Sequence, residues 1–192
     1  MTIIALSGYA SAGKDSVADV LVAERAFKKY SWADTLRLAA AALNPIVWAS
    51  MDGDTLRYND AIKAVGYTEA KLLYGEVRSV LQKLGTEVGR NLIGDNVWVD
   101  ATIRRIEQDS LLHGDVVIAD TRFPNEAEAV KNLSSDNLVI RVTRPGVGPE
   151  SDHASEISLD DYDFDFYFAN SGDLGDLKAA VLNWYDSLEI LC

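Results

Sequence analysis

The chain has 192 residues, 48% of them hydrophobic, and its 18 basic residues against 30 acidic ones give a formal net charge of -12. That length suits one domain with a full core, and the charge argues against broad binding to nucleic acid or to an anionic membrane. The single cysteine, Cys192, rules out an internal disulfide and a cysteine-based zinc site.

The first predicted element is an apolar run, Thr2 to Ser7, that reads as a buried strand. It runs into Gly8-Tyr9-Ala10-Ser11-Ala12-Gly13-Lys14-Asp15-Ser16, and a helical pattern follows from Ser16 to Arg25. Strand, glycine loop, lysine and helix in that order make a P-loop. Gly8 and Gly13 permit the tight turn. The amides of Ala10, Ser11, Ala12 and their neighbours form a nest for phosphate oxygens, and the helix start adds its dipole. Lys14 supplies a mobile charge for the outer phosphates. The residue after the lysine is normally Ser or Thr, a Mg²⁺ ligand; here it is Asp15, a hard oxygen ligand in its own right. Ser16 can still offer a hydroxyl.

A second strand is expected over Phe27 to Trp32, then an alanine-rich helix from Asp34 that stops near Asn44-Pro45. Asp34 reads equally as an N-cap or as a contact to a second substrate. Residues 46 to 70 are the least readable, with a loop at Met51 to Asp54 and a short helix between Asn59 and Gly66. Lys71 to Leu92 reads as strongly helical, with an apolar stripe through Leu73, Val77, Val80, Leu81, Leu84 and Val88 and a local break at Gly85. Arg78, Gln82, Thr86 and Arg90 recur four apart on an adjoining stripe. They form either a solvated face or a row of donors for a phosphate and a base. A further helix starts near Asn96 and carries Trp98, a residue type more often core than ligand.

Asp115 to Asp120 is a third expected strand, and its terminal Asp120 gives the Walker B pattern that holds Mg²⁺ beside a P-loop. Arg122 follows, and a helix begins at Phe123-Pro124-Asn125-Glu126. Leu138 to Val142 is a fourth strand, with Arg141 and Arg144 at or beyond its end. A flexible stretch is expected from Pro145 to Ser155. A fifth strand spans Phe164 to Asn170, and a final amphipathic helix runs through Leu174, Leu177, Val181 and Trp184. Strands alternating with helices imply an α/β fold, a parallel sheet with helices on both faces. Ligands then bind beyond the carboxyl ends of the strands. No apolar run reaches a membrane span, and the opening residues lack a signal-peptide pattern, so a cytoplasmic protein is expected.

Several blocks resemble the bacteriophage deoxynucleoside monophosphate kinases. These are the Gly8-to-Ser16 loop with Asp after Lys, Trp32-Ala33-Asp34-x-Leu36-Arg37, and Leu81-Gln82-x-Leu84-Gly85-Thr86-Glu87-x-x-Arg90. Val117-Ile118-Ala119-Asp120-x-Arg122-Phe123-Pro124-Asn125-Glu126 and His153-x-Ser155-Glu156 complete the set. The resemblance implies a single P-loop kinase domain over residues 1–192, a three-layer sandwich with a five-stranded parallel sheet in the order 2-3-1-4-5. Within it, about 46–110 forms a helical substrate-binding region, and about 144–158 is a candidate lid. It implies transfer of the ATP γ-phosphoryl group to a deoxynucleoside 5′-monophosphate, a step in dNTP biosynthesis in the host cytoplasm if the chain is phage-encoded.

The residues divide accordingly. Lys14 and the loop from Gly8 to Ser16 are expected to hold ATP. Asp15, Ser16 and Asp120 are expected to position Mg²⁺. Arg122 and Arg144, with Arg141 a weaker candidate, are expected to neutralise the transferring group. Asp34, Arg37, Arg78, Gln82, Thr86, Arg90 and Trp98 are expected to hold the acceptor. Arg37 stands where the family commonly has lysine, which keeps the charge and changes its reach. Two rivals stand beside this reading: a dephospho-coenzyme A or phosphomevalonate kinase-like enzyme, and a nucleotide-binding regulatory module without turnover. The exposed faces carry no decisive dimer signal, which leaves monomer and homodimer both open.

Overall fold

The computed structural model describes residues 1–149 and 154–189; Cys192 and His153 lie outside them. A five-stranded parallel sheet carries β1 (Ile3–Ser7), β2 (Lys28–Tyr30), β5 (Val116–Ile118), β6 (Leu138–Thr143) and β7 (Phe166–Ala169) in the order β2-β5-β1-β6-β7. Counted over the sheet alone this is the expected order 2-3-1-4-5, and the fold is the α/β P-loop kinase fold. The numbering shifts because a two-stranded antiparallel sheet, β3 (Ile46–Ala49) with β4 (Thr55–Arg57), intervenes. β1 is central. Its Ile3 is in register with Val116, and its Ser7 with Arg141.

All five residues of β1 are buried, which is why it reads as one apolar run without alternation. Ile4 and Leu6 join Val117, Ile140, Val142 and Phe168 in a core closed by α1 (Lys14–Arg25) and α9 (Leu174–Glu189). Ile3 and Ala5 project the other way, as strand geometry requires. Helix α7 (Pro124–Leu133) packs on β1 and β6.

The chain divides into two compact units, residues 33–102 and the remainder. The first contains α2 (Asp34–Leu43), the β3–β4 hairpin, α3 (Tyr58–Val65), α4 (Tyr67–Leu73), α5 (Gly75–Gln82), a π-helix (Lys83–Ile93) and the start of α6 (Val97–His113). Ala40, Val47, Tyr58, Ala61, Ala70, Val77 and Leu81 form its core.

The loop expected at Met51 to Asp54 is present and forms the turn of a hairpin, where Ser50 N–H donates to the Asp54 carbonyl at 2.8 Å. Its strands escape notice because only Val47 of β3 is buried. The expectation of one helix over residues 71–92 is corrected. Tyr74 is extended (φ -121°, ψ 95°) and separates α4 from α5, and the chain widens to a π-helix at Lys83. Leu73 and Val88 of the expected apolar stripe are 57% and 40% exposed, while Val77 and Leu81 are buried. Gly85 does not break the helix; it lies inside the π segment.

Candidate active site

In the unit that carries the parallel sheet, the loop Gly8–Gly13 joins the carboxyl end of β1 to α1. Gly8 and Gly13 have φ of 142° and 105°, values that favour glycine. Both also face a close approach. A Cβ on Gly8 would collide with the Val142 carbonyl oxygen of β6, and one on Gly13 with the Asn170 side-chain amide just past β7. Asn170 is buried and donates from Nδ2 to the Ala12 carbonyl at 3.0 Å. Ser11 also adopts a left-handed backbone, with φ 63°.

Lys14 is the first residue of α1 and is only 9% exposed. Its Nζ donates to the carbonyls of Gly8 and Tyr9, at 2.6 and 2.8 Å. Burial lowers its pKa, and the nearby Arg122 cation lowers it further, against the opposing pull of Asp15 and Glu156. Asp15 is 80% exposed at the side chain and pairs with Lys29 at 2.8 Å. Ser16 is half-buried in the first turn.

Asp120 lies two residues past β5. One of its oxygens accepts from Ser31 Oγ at 2.5 Å and the other from the Trp32 amide at 2.9 Å. A carboxylate is a hard oxygen donor of the kind Mg²⁺ takes. Arg122 donates to Glu156 at 3.1 Å. Its position is set by Glu126, buried in α7, which accepts from the amides of Arg122 and Phe123 at 2.7 and 3.1 Å. With Pro124 opening the helix, Arg122-Phe123-Pro124-Asn125-Glu126 is a helix-start device. Arg141 is buried in β6 and held by Asp160 at 2.7 Å. Arg144 is exposed beyond β6, and among the described residues its guanidinium has no ion-pair partner.

In the other unit, the N-cap position of α2 is Ala33, and Asp34 is the first helical residue. The N-cap alternative for Asp34 therefore falls: its carboxylate pairs with Arg37 at 3.0 Å. Arg37 in turn stands 4.8 Å from the centre of the Tyr67 ring, which also meets Lys71 at 4.9 Å. Arg78, Gln82 and Thr86 are exposed, and Arg90 is half-buried. Four residues overshoot an α turn and fall short of the wider i→i+5 turn of a π-helix. The row from Arg78 to Arg90 thus drifts one way along α5 and back along the π segment, which keeps it on one side.

Trp98 explains the glycines of that segment. Its Nε1–H donates to the Gly85 carbonyl at 2.9 Å, and its ring lies against Gly89, where a Cβ would meet Cε2 at 2.6 Å and Cζ2 at 2.7 Å. Gly85 is likewise filled over by Leu36 of α2. The indole of Trp98 thus has its donor engaged within the fold.

The deoxynucleotide monophosphate kinase family profile matches residues 56–181, well over half of the chain. The chain belongs to that family. This deoxynucleotide monophosphate kinase family member is 33% identical over 121 residues to the deoxynucleoside-5′-monophosphate kinase of Escherichia phage T5. That alignment covers 59% of this chain and 47% of the phage protein, so the chain spans about half the length of that relative. A provisional deoxynucleotide monophosphate kinase of Acanthamoeba polyphaga mimivirus is 26% identical over 199 aligned positions, covering 97% of each chain. Among solved structures, dephospho-CoA kinase from Campylobacter jejuni superposes with a TM-score of 0.51 at 13% identity, covering 97% of this chain and 96% of that one. It supports the fold alone.

Sequence reasoning missed Asn170, Tyr67 and Asp160. The Asn170 side chain serves a residue 158 positions away, and nothing local marks it beyond its place at a strand end. Tyr67 lies in the unreadable segment, and its partner Arg37 is the only signal that points to it. Among the described residues, no helix is long and apolar enough to cross a membrane. Nor does any group of three or more His, Cys, Asp or Glu side chains converge as a metal site.

Proposed function

We propose that this protein transfers the γ-phosphoryl group of ATP to a deoxynucleoside 5′-monophosphate, giving the diphosphate and ADP. The observation that carries this reading, beside family membership, is the P-loop, with its buried Lys14 within electrostatic reach of Arg122. An acceptor phosphate oxygen attacks the γ-phosphorus, and the bond from that phosphorus to the β–γ bridging oxygen breaks. The acceptor is already ionised at neutral pH, so no general base is needed. The work is the approach of two polyanions and the stabilisation of charge in transfer.

Lys14 and the loop amides from Gly8 to Ser16 bind the ATP phosphates, and Lys14 exchanges the Gly8 and Tyr9 carbonyls for phosphate oxygens. Arg122, with Arg144, offsets the charge of the transferring group. Asp34, Arg37, Arg78, Gln82, Thr86 and Arg90 bind the acceptor, with Trp98 supporting this row through the Gly85 carbonyl. Ser16 and Asp120 are the hard oxygen donors that would hold Mg²⁺, an ion commonly bound through one or two carboxylates and the substrate phosphates, and it would offset phosphate charge there. Asp15 joins that set only on release from Lys29.

The test is ADP release with Mg-ATP against deoxynucleoside monophosphates, ribonucleoside monophosphates, dephospho-coenzyme A and phosphomevalonate. Turnover with one or more deoxynucleotides is expected. Turnover only with another acceptor would replace this reading by one of the rival kinases. ATP binding without acceptor-dependent ADP release would favour a regulatory module.

A further inference from the structure

Arg141 is a cation spent inside the protein. It lies on β6 in register with Ser7, the last residue before the P-loop, and is 7% exposed. Its Nη2 donates to Asp160 Oδ1 at 2.7 Å, and its Nη1 lies 3.4 Å from Ser7 Oγ. Its guanidinium carbon is 4.5 Å from the centre of the Tyr9 ring and 5.6 Å from that of Phe164. Tyr9, the second residue of the P-loop, donates its hydroxyl to the same Asp160 oxygen at 2.9 Å. Ring, guanidinium and carboxylate thus close on one another.

A guanidinium taken out of water costs several kcal/mol unless it is paired and hydrogen-bonded. Here the pairing is complete enough that a reaching role would require dismantling it. The closure bears instead on the main chain of Tyr9. The Tyr9 carbonyl accepts from Lys14 Nζ at 2.8 Å and from the Ala12 amide at 3.2 Å, so it fixes both the lysine and the turn of the loop. An anion nest binds well only when its amides are already oriented, because ordering a loop on binding subtracts from affinity.

We propose that Arg141 and Asp160 are positioning residues that act through the Tyr9 side chain to hold the P-loop open for a nucleoside triphosphate. This rests on the P-loop binding ATP. It assigns Arg141 no contact with the transferring phosphoryl group.

The test measures the Kd of MgATP by calorimetry without acceptor, together with KM for each substrate and the thermal midpoint. Tyr9→Phe keeps the ring over Arg141 and removes one hydrogen bond. Tyr9→Leu removes both contacts, and Asp160→Asn removes the charge that holds them. The expected result is a Kd for MgATP raised on the order of tenfold in Tyr9→Leu and Asp160→Asn, less in Tyr9→Phe, with the acceptor KM unchanged. If Asp160→Asn fails to fold, the two Tyr9 variants decide. Wild-type MgATP affinity in Tyr9→Leu would overturn the proposal, as would acceptor and ATP KM values that rise together. So would an Arg141→Lys variant that loses turnover with an unchanged MgATP Kd, since that pattern marks direct contact in the transition state. Failure of the unaltered protein to bind MgATP would overturn the P-loop reading itself.

Discussion

Gly89→Ala tests the claim that the π-helix is glycine-bearing because Trp98 lies on it. The new methyl carbon would stand 2.6 Å from Cε2 and 2.7 Å from Cζ2 of the indole. The ring is rigid and cannot fold its edge away; it must shift as a whole, and its bond to the Gly85 carbonyl goes with it. Overpacking of this kind costs about 1–3 kcal/mol. The lost hydrogen bond adds about 1 kcal/mol, and the gain from replacing a helical glycine offsets about the same amount. The net loss is about 1–3 kcal/mol, which for a chain of this size lowers Tm by about 2–12 °C. Near-ultraviolet circular dichroism during thermal unfolding reads both the midpoint and the indole environment. Gly75→Ala is the control, because a Cβ there meets nothing within 4 Å; its Tm should hold or rise. Displacement of Thr86 and Arg90 should also raise the acceptor KM of Gly89→Ala. Paired with Trp98→Leu, the Gly89→Ala loss should be less than additive, since the colliding atoms are gone. Equal midpoints for Gly89→Ala and Gly75→Ala would refute the reasoning.

Three further outcomes follow from the site. Lys14→Ala should fold with an undiminished Tm, because it removes a desolvated cation, yet lose about a hundredfold or more in kcat; wild-type turnover would end the P-loop assignment. Arg90→Ala should raise the acceptor KM about tenfold and leave that for ATP nearly unchanged, and steady-state kinetics with each substrate varied in turn would expose an equal rise in both. The lowered pKa of buried Lys14 predicts that MgATP affinity falls with rising pH before an ordinary lysine would titrate. Between the folded and unfolded pKa values the unfolded chain binds more protons, so this group makes the fold more stable, not less, as pH rises through that window. Binding and Tm measured across that range should therefore part company, and Lys14→Arg should shift the binding limb out of it; a limb unmoved in Lys14→Arg would assign it elsewhere.

The sheet was largely legible because its strands are buried on both faces. Ile3-Ile4-Ala5-Leu6 and Leu138-Val139-Ile140 are unbroken apolar runs, and helical patterns between them force a parallel arrangement. Gly8, Gly13 and Lys14 announce their loop by spacing together with the apolar strand before it and the helical pattern after it. The hairpin was not legible, since Ile46 and Trp48 are 49% and 46% exposed and give no apolar face to read. The π-helix was hidden because its apolar pattern also satisfies an α turn, and nothing local marks the indole, thirteen residues on from Gly85, that donates to the Gly85 carbonyl. Glu126 and Asn170 were named in the sequence only as parts of a motif and a strand end. What they do depends on partners the chain brings to them: two amides at a helix start, and a loop carbonyl from the far end of the sequence.

The central place of β1 carries a consequence for how the molecule is made. β1 is translated before the strands it pairs with, and both of those neighbours come late, the nearer at Val116. Thr2 must wait for Asp115, 113 positions on, to satisfy its amide. Residues 33–102, a compact unit of their own, are by then complete. Synthesis therefore delivers the contiguous unit first, while an apolar strand sits unpaired in the growing chain. Closing so long a loop costs only logarithmically more than closing a short one, but it is slow. Until Val116 and Leu138 emerge, the stretch that will become the middle of the sheet is an unpaired apolar strand, the kind of segment that invites aggregation.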